Sequence, residues 1–438
     1  MSTISHFSRC LLPAALWAAS GIALADSTLA ERGISVLGSY TGEAAGAVSG
    51  GNGTGGGYAG QIFFGSDVDF SKLSGWDGAK LRVYFASRHG NNVAQARIGN
   101  STSIQEIFGS QTTRLANFTL EQKLFDGRLD LEAGRTVANI HFLDSQLCNY
   151  FQTNSACGNP TFVFRTSGFT YWPVSSWGGD ARAWLTPSLY LHAGVFEVNP
   201  RRAVDSDHGF EWGLGGATGV NVPVAIGYKT DAAHDRLPRL YELGGWYDSS
   251  TYRDPRDDAN GVPAVLSGLP YNERRGRSGL FARFEQQLTR PDPGSDRGFV
   301  LFGAALLGTS GALVEDHFLE LGFVQKGTFP GREHDSLAFV VTQQHYSDRA
   351  IENLSLARAA AGGGDPLHHQ QTIMELSYGI EVSPWLRIAP NLHYIIDPDS
   401  LNAPTRRRNL PNAFAVGMRI DIGLSPWLQA GAERLARY

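Results

Sequence analysis

The chain has 438 residues, with 37 Lys and Arg against 42 Asp and Glu, a formal charge of −5. That mild acidity argues against a nucleic-acid partner, which selects a basic surface. Fifty-two glycines and three methionines beside 24 Phe, 15 Tyr and 9 Trp, at slightly negative mean hydropathy, do not suit a compact globular enzyme with pooled apolar stretches.

Arg9 is the only charge in residues 1–25, and the apolar run 10–24 ends at Ala23-Leu24-Ala25 before Asp26. This pattern is expected of a secretory signal peptide, too short and too interrupted by Pro13 to be an anchor. Cys10 lacks a lipobox before it, so lipidation is not expected. Loss of residues 1–25 removes Arg9 and no acid, taking the formal charge from −5 to −6. Beyond the signal no apolar run of helix-spanning length exists.

The remaining chain alternates. Tyr58, Ile62, Phe64, Val68 and Phe70 share one face, opposite Gln61, Asp67 and Asp69. Leu81, Val83 and Phe85 alternate with Lys80, Arg82 and Tyr84, and Ala116, Phe118, Leu120 and Leu124 with Asn117, Thr119, Glu121 and Lys123. Asp126-Gly127 is strong hairpin chemistry and turns the chain onto Leu129, Leu131 and Ala133, with Asp130 and Glu132 between. Residues 161–186 read as one strand kinked around Trp172-Pro173-Val174-Ser175-Ser176-Trp177. Further strands are expected near 188–198, 222–230, 239–248, 279–288, 298–307, 316–326, 336–345, 372–382 and 386–396. The last, 412–424, sets Phe414, Val416, Met418, Ile420, Ile422 and Leu424 against Arg419 and Asp421. With a short strand near 33–40 the count is about sixteen.

Period-two alternation behind an export signal predicts an all-β fold, a transmembrane antiparallel β-barrel of about sixteen strands. Short turns at 126–127 and 383–385 alternate with long polar links at 41–57, 89–113, 138–160, 249–278 and 346–371, as outer-membrane barrels alternate periplasmic turns with extracellular loops. Trp76, Trp385 and Trp427 fall in turns, where amphipathic rings favour the headgroup zone. One domain, 26–424, accounts for the chain after the signal, with 425–438 as a C-terminal extension.

A barrel of this size leaves an aqueous channel. Its inner face mixes signs: Arg82, Glu121, Asp130, Glu132, Arg283, Glu285, Glu320, Glu375, Glu381, Arg387, His393 and Arg419, with Asn117 and Asn391. An ion pore would favour one sign; mixed donors and acceptors suit a neutral polyhydroxyl solute. The plainer reading is that these charges pair with one another. Arg406-Arg407-Arg408 reads as a solvated rim that could meet lipopolysaccharide phosphates. Cys148 and Cys157, nine positions apart, read as a local disulfide in an exported chain or as two thiols. No metal site is expected there or at His368-His369, which has no clustered ligands, and no cofactor is expected. No Gly-x-Ser-x-Gly elbow, His-Glu-x-x-His or phosphate loop occurs, so an enzyme built from separate strands is a minor alternative. A general diffusion porin is the main alternative, and a non-conducting structural barrel another.

The residues also carry a resemblance. YTGEAAGAVSGG from Tyr40, RHGNNVAQARIG from Arg88, FDGRLDLEAGR from Phe125, WPVSSWG from Trp172, LTPSLYLHAGVFEVNP from Leu185, LYELGGWYDSS from Leu240 and the closing PNAFAVGMRIDIGL resemble the carbohydrate-selective porin (OprB) family. The resemblance implies a sixteen-stranded channel that passes sugars such as glucose, narrowed by inward-folded loops, with Cys148 and Cys157 at a loop cysteine pair. It implies that the segments carrying Arg82, Arg88, Glu106 and Arg135 form the constriction; alternation alone places only Arg82 in the lumen. Trp172 and Trp177 are then sugar platforms or braces of the kinked strand. The family's members end on a strand with a terminal aromatic read by the barrel-assembly machinery, whereas here residues 425–438 follow. Monomer and homotrimer are both open.

Overall fold

The computed structural model describes residues 28–156 and 161–435. The signal segment 1–25, Cys157 and Tyr438 therefore lie outside the described residues. Alternating residues build sixteen strands among them: β1 (Ile34–Ser49), β2 (Gly55–Asp69), β3 (Ala79–Gly90), β4 (Thr113–Leu124), β5 (Leu129–Thr136), β6 (Ser176–Trp184), β7 (Leu189–Val198) and β8 (Gly219–Lys229). They continue as β9 (Arg239–Asp258), β10 (Tyr271–Thr289), β11 (Gly298–Ser310), β12 (Glu315–Lys326), β13 (Ser336–Tyr346), β14 (Gln370–Ser383), β15 (Leu386–Ile396) and β16 (Ala413–Gly423). Each pairs antiparallel with its chain neighbours, and β1 pairs with β16 from Ser39↔Gly423 to Ser49↔Phe414, closing the barrel. Closure gives every strand a neighbour on both sides, the condition for a sheet in lipid.

The period-two pattern decides which face meets which medium. In β16, Val416 and Met418 are exposed outward while Ala413, Ala415 and Arg419 are buried inward. In β4, Phe118 and Leu120 face out, and Asn117, Thr119 and Glu121 face in. The Asp126-Gly127 hairpin forms as its chemistry dictates, with φ of 55° and 78°, both in the left-handed region this turn demands. Trp76 and Trp385 are exposed in short turns, whereas Trp427, expected in a turn, is exposed on the helix Ser425–Leu435.

Two long links fold into the barrel and carry their own cores. The 91–112 loop packs Val93, Ile98 and Ile104 on the inner faces of Ala45, Ala47, Ile373, Ile395 and Ala415. The 137–175 link packs Phe142, Leu143, Phe162, Val163 and Phe169 on Phe196, Ala225, Trp246, Phe281 and Phe318. Further along the same link, Phe151 and Ala156 pack on Phe302, Val324, Ala338 and Val340. Burying these apolar faces holds each loop against the wall.

Several boundaries differ from the alternation reading. The expected kinked strand over 161–186 is instead a helix, Thr161–Thr166, then an irregular stretch and β6. Phe162 and Val163 point together into the lumen core, which a helix turn allows and a strand forbids. The link 41–57 is mostly strand, because β1 runs on to Ser49 and leaves only residues 50–54 as a turn. Its Gly- and Ala-rich composition gives alternation little contrast. Most of 249–278 also belongs to the long hairpin β9–β10, and 346–371 contains the helix Asp348–Ala360.

The C-terminal extension is a helix, Ser425–Leu435. Below Ser39 the strand β1 outruns β16, so its edge groups need other partners. The helix supplies them. Gln429 Oε1 accepts from Val36 N–H at 2.6 Å, Ser425 Oγ accepts from Gly38 N–H at 3.0 Å, and Leu424 N–H donates to Gly38 C=O at 2.8 Å. A Cβ at position 38 would overlap Leu428, so glycine there lets the helix lie on the strand. Trp427 meets Trp385 edge-on at 5.2 Å.

Candidate functional site

Charges on the inner wall must remain solvated or paired, and the structure uses several of them to hold the two loops. Glu375, fully buried on β14, accepts from Gln152 N–H and Thr153 N–H at 2.8 Å each. Glu43 on β1 accepts from Ile107 N–H at 3.1 Å. Arg419 donates to Phe151 C=O at 3.1 Å and pairs with Glu43 and Glu106 at 3.2 Å each. Arg387 donates to Asn149 C=O at 3.0 Å, and Arg283 to Asp144 C=O. Charge-assisted bonds of this kind are the strong ones.

The loops are tied to each other as well. Glu106 N–H donates to Gln152 C=O at 2.9 Å. Arg165, on the Thr161–Thr166 helix, pairs with Glu315 and donates to Ser101 Oγ at 2.6 Å. Burial opposes its charge, but Glu315, Tyr346 and Asp399 more than offset this and raise its pKa above the ordinary arginine value. Arg406, expected at the rim, donates instead to Gly99 C=O at 2.8 Å and Asp399 C=O at 3.2 Å, fastening the 91–112 loop. Arg407 and Arg408 are exposed.

Between the loops lies a cavity of about 590 Å3 whose lining includes Arg88, Glu106, Asn139, Asp144, Arg165, Tyr171 and Trp172. Arg88 Nε donates to Gln61 Oε1 at 2.7 Å, and Trp172 Nε1 donates to the same oxygen at 3.1 Å. Gln61 thereby fixes a cation and a ring beside each other. From Trp172 an aromatic line continues along the inner wall to Phe63 at 6.0 Å and Tyr84 at 5.4 Å further. Tyr84 O–H donates to Asp67 at 2.6 Å.

Arg82 sits six residues below Arg88 on β3, about 20 Å toward the short-turn end at strand rise. It pairs with both Glu121 and Glu132; Thr119 O–H donates to Glu132 at 2.6 Å and Asn117 Nδ2 to Thr119 at 2.8 Å. Arg82, Asn117 and Glu121 thus form one inner-wall network apart from the cavity. Arg135 and Trp177 lie elsewhere. They share the outward face with Phe118, beneath the part of the 199–218 loop where Phe210 packs on Phe85 and Trp212 on Phe118 and Trp177, while Ala203 and Asp205 of the same loop border the cavity. Arg135 donates to Glu211 C=O at 2.5 Å and Ser175 C=O at 2.7 Å, and lies 5.7 Å from the Trp212 ring. Trp177 Nε1 donates to Trp212 C=O at 2.9 Å. Cys148 borders the cavity; its expected partner Cys157 is outside the described residues, so the disulfide stays an expectation.

Gln61, Phe63 and Tyr84 complete the site without having been singled out in the sequence. Alternation put Gln61 and Tyr84 on the inner face, but no local signal shows that Trp172, more than a hundred residues on, reaches Gln61.

A closed barrel with an apolar outside, a charged inside and a bore narrowed by its own loops is a porin of the outer membrane. The sequence pattern described as "Carbohydrate-selective porin, OprB family" matches residues 54–424. The chain belongs to that family. Porin B of Pseudomonas aeruginosa is 29% identical over 436 residues, covering 96% of this chain and 94% of that protein. A putative porin, QuiX, of Acinetobacter baylyi is 27% identical over 359 residues, 78% of each. The high-pH structure of Pseudomonas putida OprB superimposes with a TM-score of 0.81 at 30% identity, covering 90% of this chain and 95% of that one.

Proposed function

We propose that the cavity between Arg88, Glu106 and Trp172 is the selective step for small neutral sugars, glucose among them, which then diffuse passively to the periplasm. The observation that carries this is the shared Gln61 oxygen, which presents a guanidinium and an indole side by side in a cavity that the Glu106 carboxylate also lines. A pyranose offers hydroxyls to both charges and an apolar face to the ring. The Phe63–Tyr84 line extends the apolar surface downward, and Arg82 with its two carboxylates gives a second polar ring beyond it.

No covalent step and no cofactor enter this reading, and Cys148–Cys157 acts as a local staple of the 137–175 link. The lipid-facing strands sit in the outer membrane, with Arg407 and Arg408 available to lipopolysaccharide phosphates. Liposomes containing the purified chain test the reading. Glucose enters faster than a disaccharide and faster than ions of similar size. Entry of all three in proportion to size alone would leave a general diffusion pore.

A further inference from the structure

On the outward side of the wall, at the long-loop end and away from the cavity, three donors meet. Asp316 Oδ1 lies 2.7 Å from His317 Nδ1 and 2.7 Å from His345 Nδ1. The two imidazoles stack at 4.2 Å with 16° between their planes, and the ligand atoms of all three residues fall within 4.8 Å of one another. A regular strand would point Asp316 and His317 to opposite faces. The register slips between Glu315 and His317 where β12 meets β13. This bulge leaves Glu315 inward on Arg165 and turns Asp316 outward beside the histidines, the re-aiming that bulges perform. His369 stands next in line, its ring 6.0 Å from that of His345.

We propose that Asp316, His317 and His345 form a binding site for a divalent transition cation of the zinc class. Two imidazole nitrogens and one carboxylate oxygen are the donor set such ions take, leaving a fourth position for water. Calcium and magnesium prefer all-oxygen shells and are disfavoured. Ligands about 2.0–2.1 Å from zinc stand about 3.3 Å apart in a tetrahedron. The donors at 2.7 Å therefore need to part by roughly 0.6 Å, which half-exposed side chains at a strand end can supply. No metal was expected from sequence at the cysteine pair or at His368-His369, which lack clustered ligands; the fold brings His317 and His345 together from β12 and β13, with His369 beside them.

The untagged full-length chain in detergent, stripped with a chelator, is dialysed against Zn2+ and the bound metal counted. About one equivalent is retained in the presence of excess Mg2+, and Asp316→Asn or His345→Gln weakens binding roughly tenfold or more. His234→Gln, in the short-turn link 230–238, leaves it unchanged. Heat-modifiable gel mobility confirms that each variant is folded. Equal zinc binding by the parent and His345→Gln, or none by the parent, overturns the proposal and leaves a hydrogen-bonded cluster only. Should the variants not fold, zinc protection of His317 and His345 in the parent from acylation, mapped on peptides, decides; no protection overturns the site.

Discussion

Replacing Glu375 by alanine tests whether the wall charges hold the constriction. Its two oxygens accept from Gln152 N–H and Thr153 N–H at 2.8 Å each, in a fully buried position. A hydrogen bond to a charged group contributes about 1.5–3 kcal/mol, so removing both costs the loop about 3–6 kcal/mol. Water can enter from the lumen and rehydrate the amides, which favours the lower figure. About 3 kcal/mol is roughly a hundredfold in the local opening equilibrium. The barrel itself keeps its ladder, because Val340↔Glu375 and Glu375↔His393 are backbone pairs. Hydrogen exchange read at peptide level over residues 147–156 therefore accelerates by about a hundredfold, while thermal denaturation of the barrel changes little. Liposome swelling follows: discrimination between glucose and a disaccharide falls as the loop loosens. Unchanged exchange in a folded Glu375→Ala variant would refute the anchoring role of the carboxylate.

Arg88→Ala removes one charged donor beside Trp172 and weakens glucose-dependent block of single-channel current by about tenfold, equivalent to roughly 1.4 kcal/mol; unchanged block removes Arg88 from the sugar path. Arg135→Ala leaves sugar permeation unaltered but speeds proteolysis within 199–218, since its bonds go to Glu211 and Ser175; a change in permeation with an intact loop would contradict its outward placement. Truncation after Leu424 uncovers Val36 N–H and Gly38 N–H, a loss of about 2 kcal/mol at about 1 kcal/mol per hydrogen bond. A lowered unfolding temperature on heat-shift gels reports it, and an unchanged one denies the helix its sealing role.

The strands were legible where side chains contrast. Phe414 to Leu424 against Arg419 and Asp421 fixes β16 and both its faces, because a one-residue slip would put arginine in lipid. The same arithmetic bears on the site. Arg135 shares parity with Leu129 and Leu131, so alternation places it outward, whereas the family resemblance grouped it with the constriction. Where side chains are small, as in 41–49, the signal faded and β1 was read too short. In 161–175 the apolar residues answer to a lumen core built by strands far away in sequence, and helix won over strand.

By itself, then, the sequence determined the barrel class, its strand count and which face of most strands is apolar, since a sheet in lipid alternates apolar residues outward with polar ones inward. The tertiary structure alone decided the site. Trp172 meets Gln61 and Arg88 from a link that Glu375 and Arg419 hold inside the barrel, beside the loop held by Glu43. Those bonds join side chains to loop backbone, and backbone groups carry no residue-specific mark. Closure at the seam was hidden for a related reason: the terminal helix takes the place of strand pairing along β1, and nothing in 425–435 alternates to announce its partner.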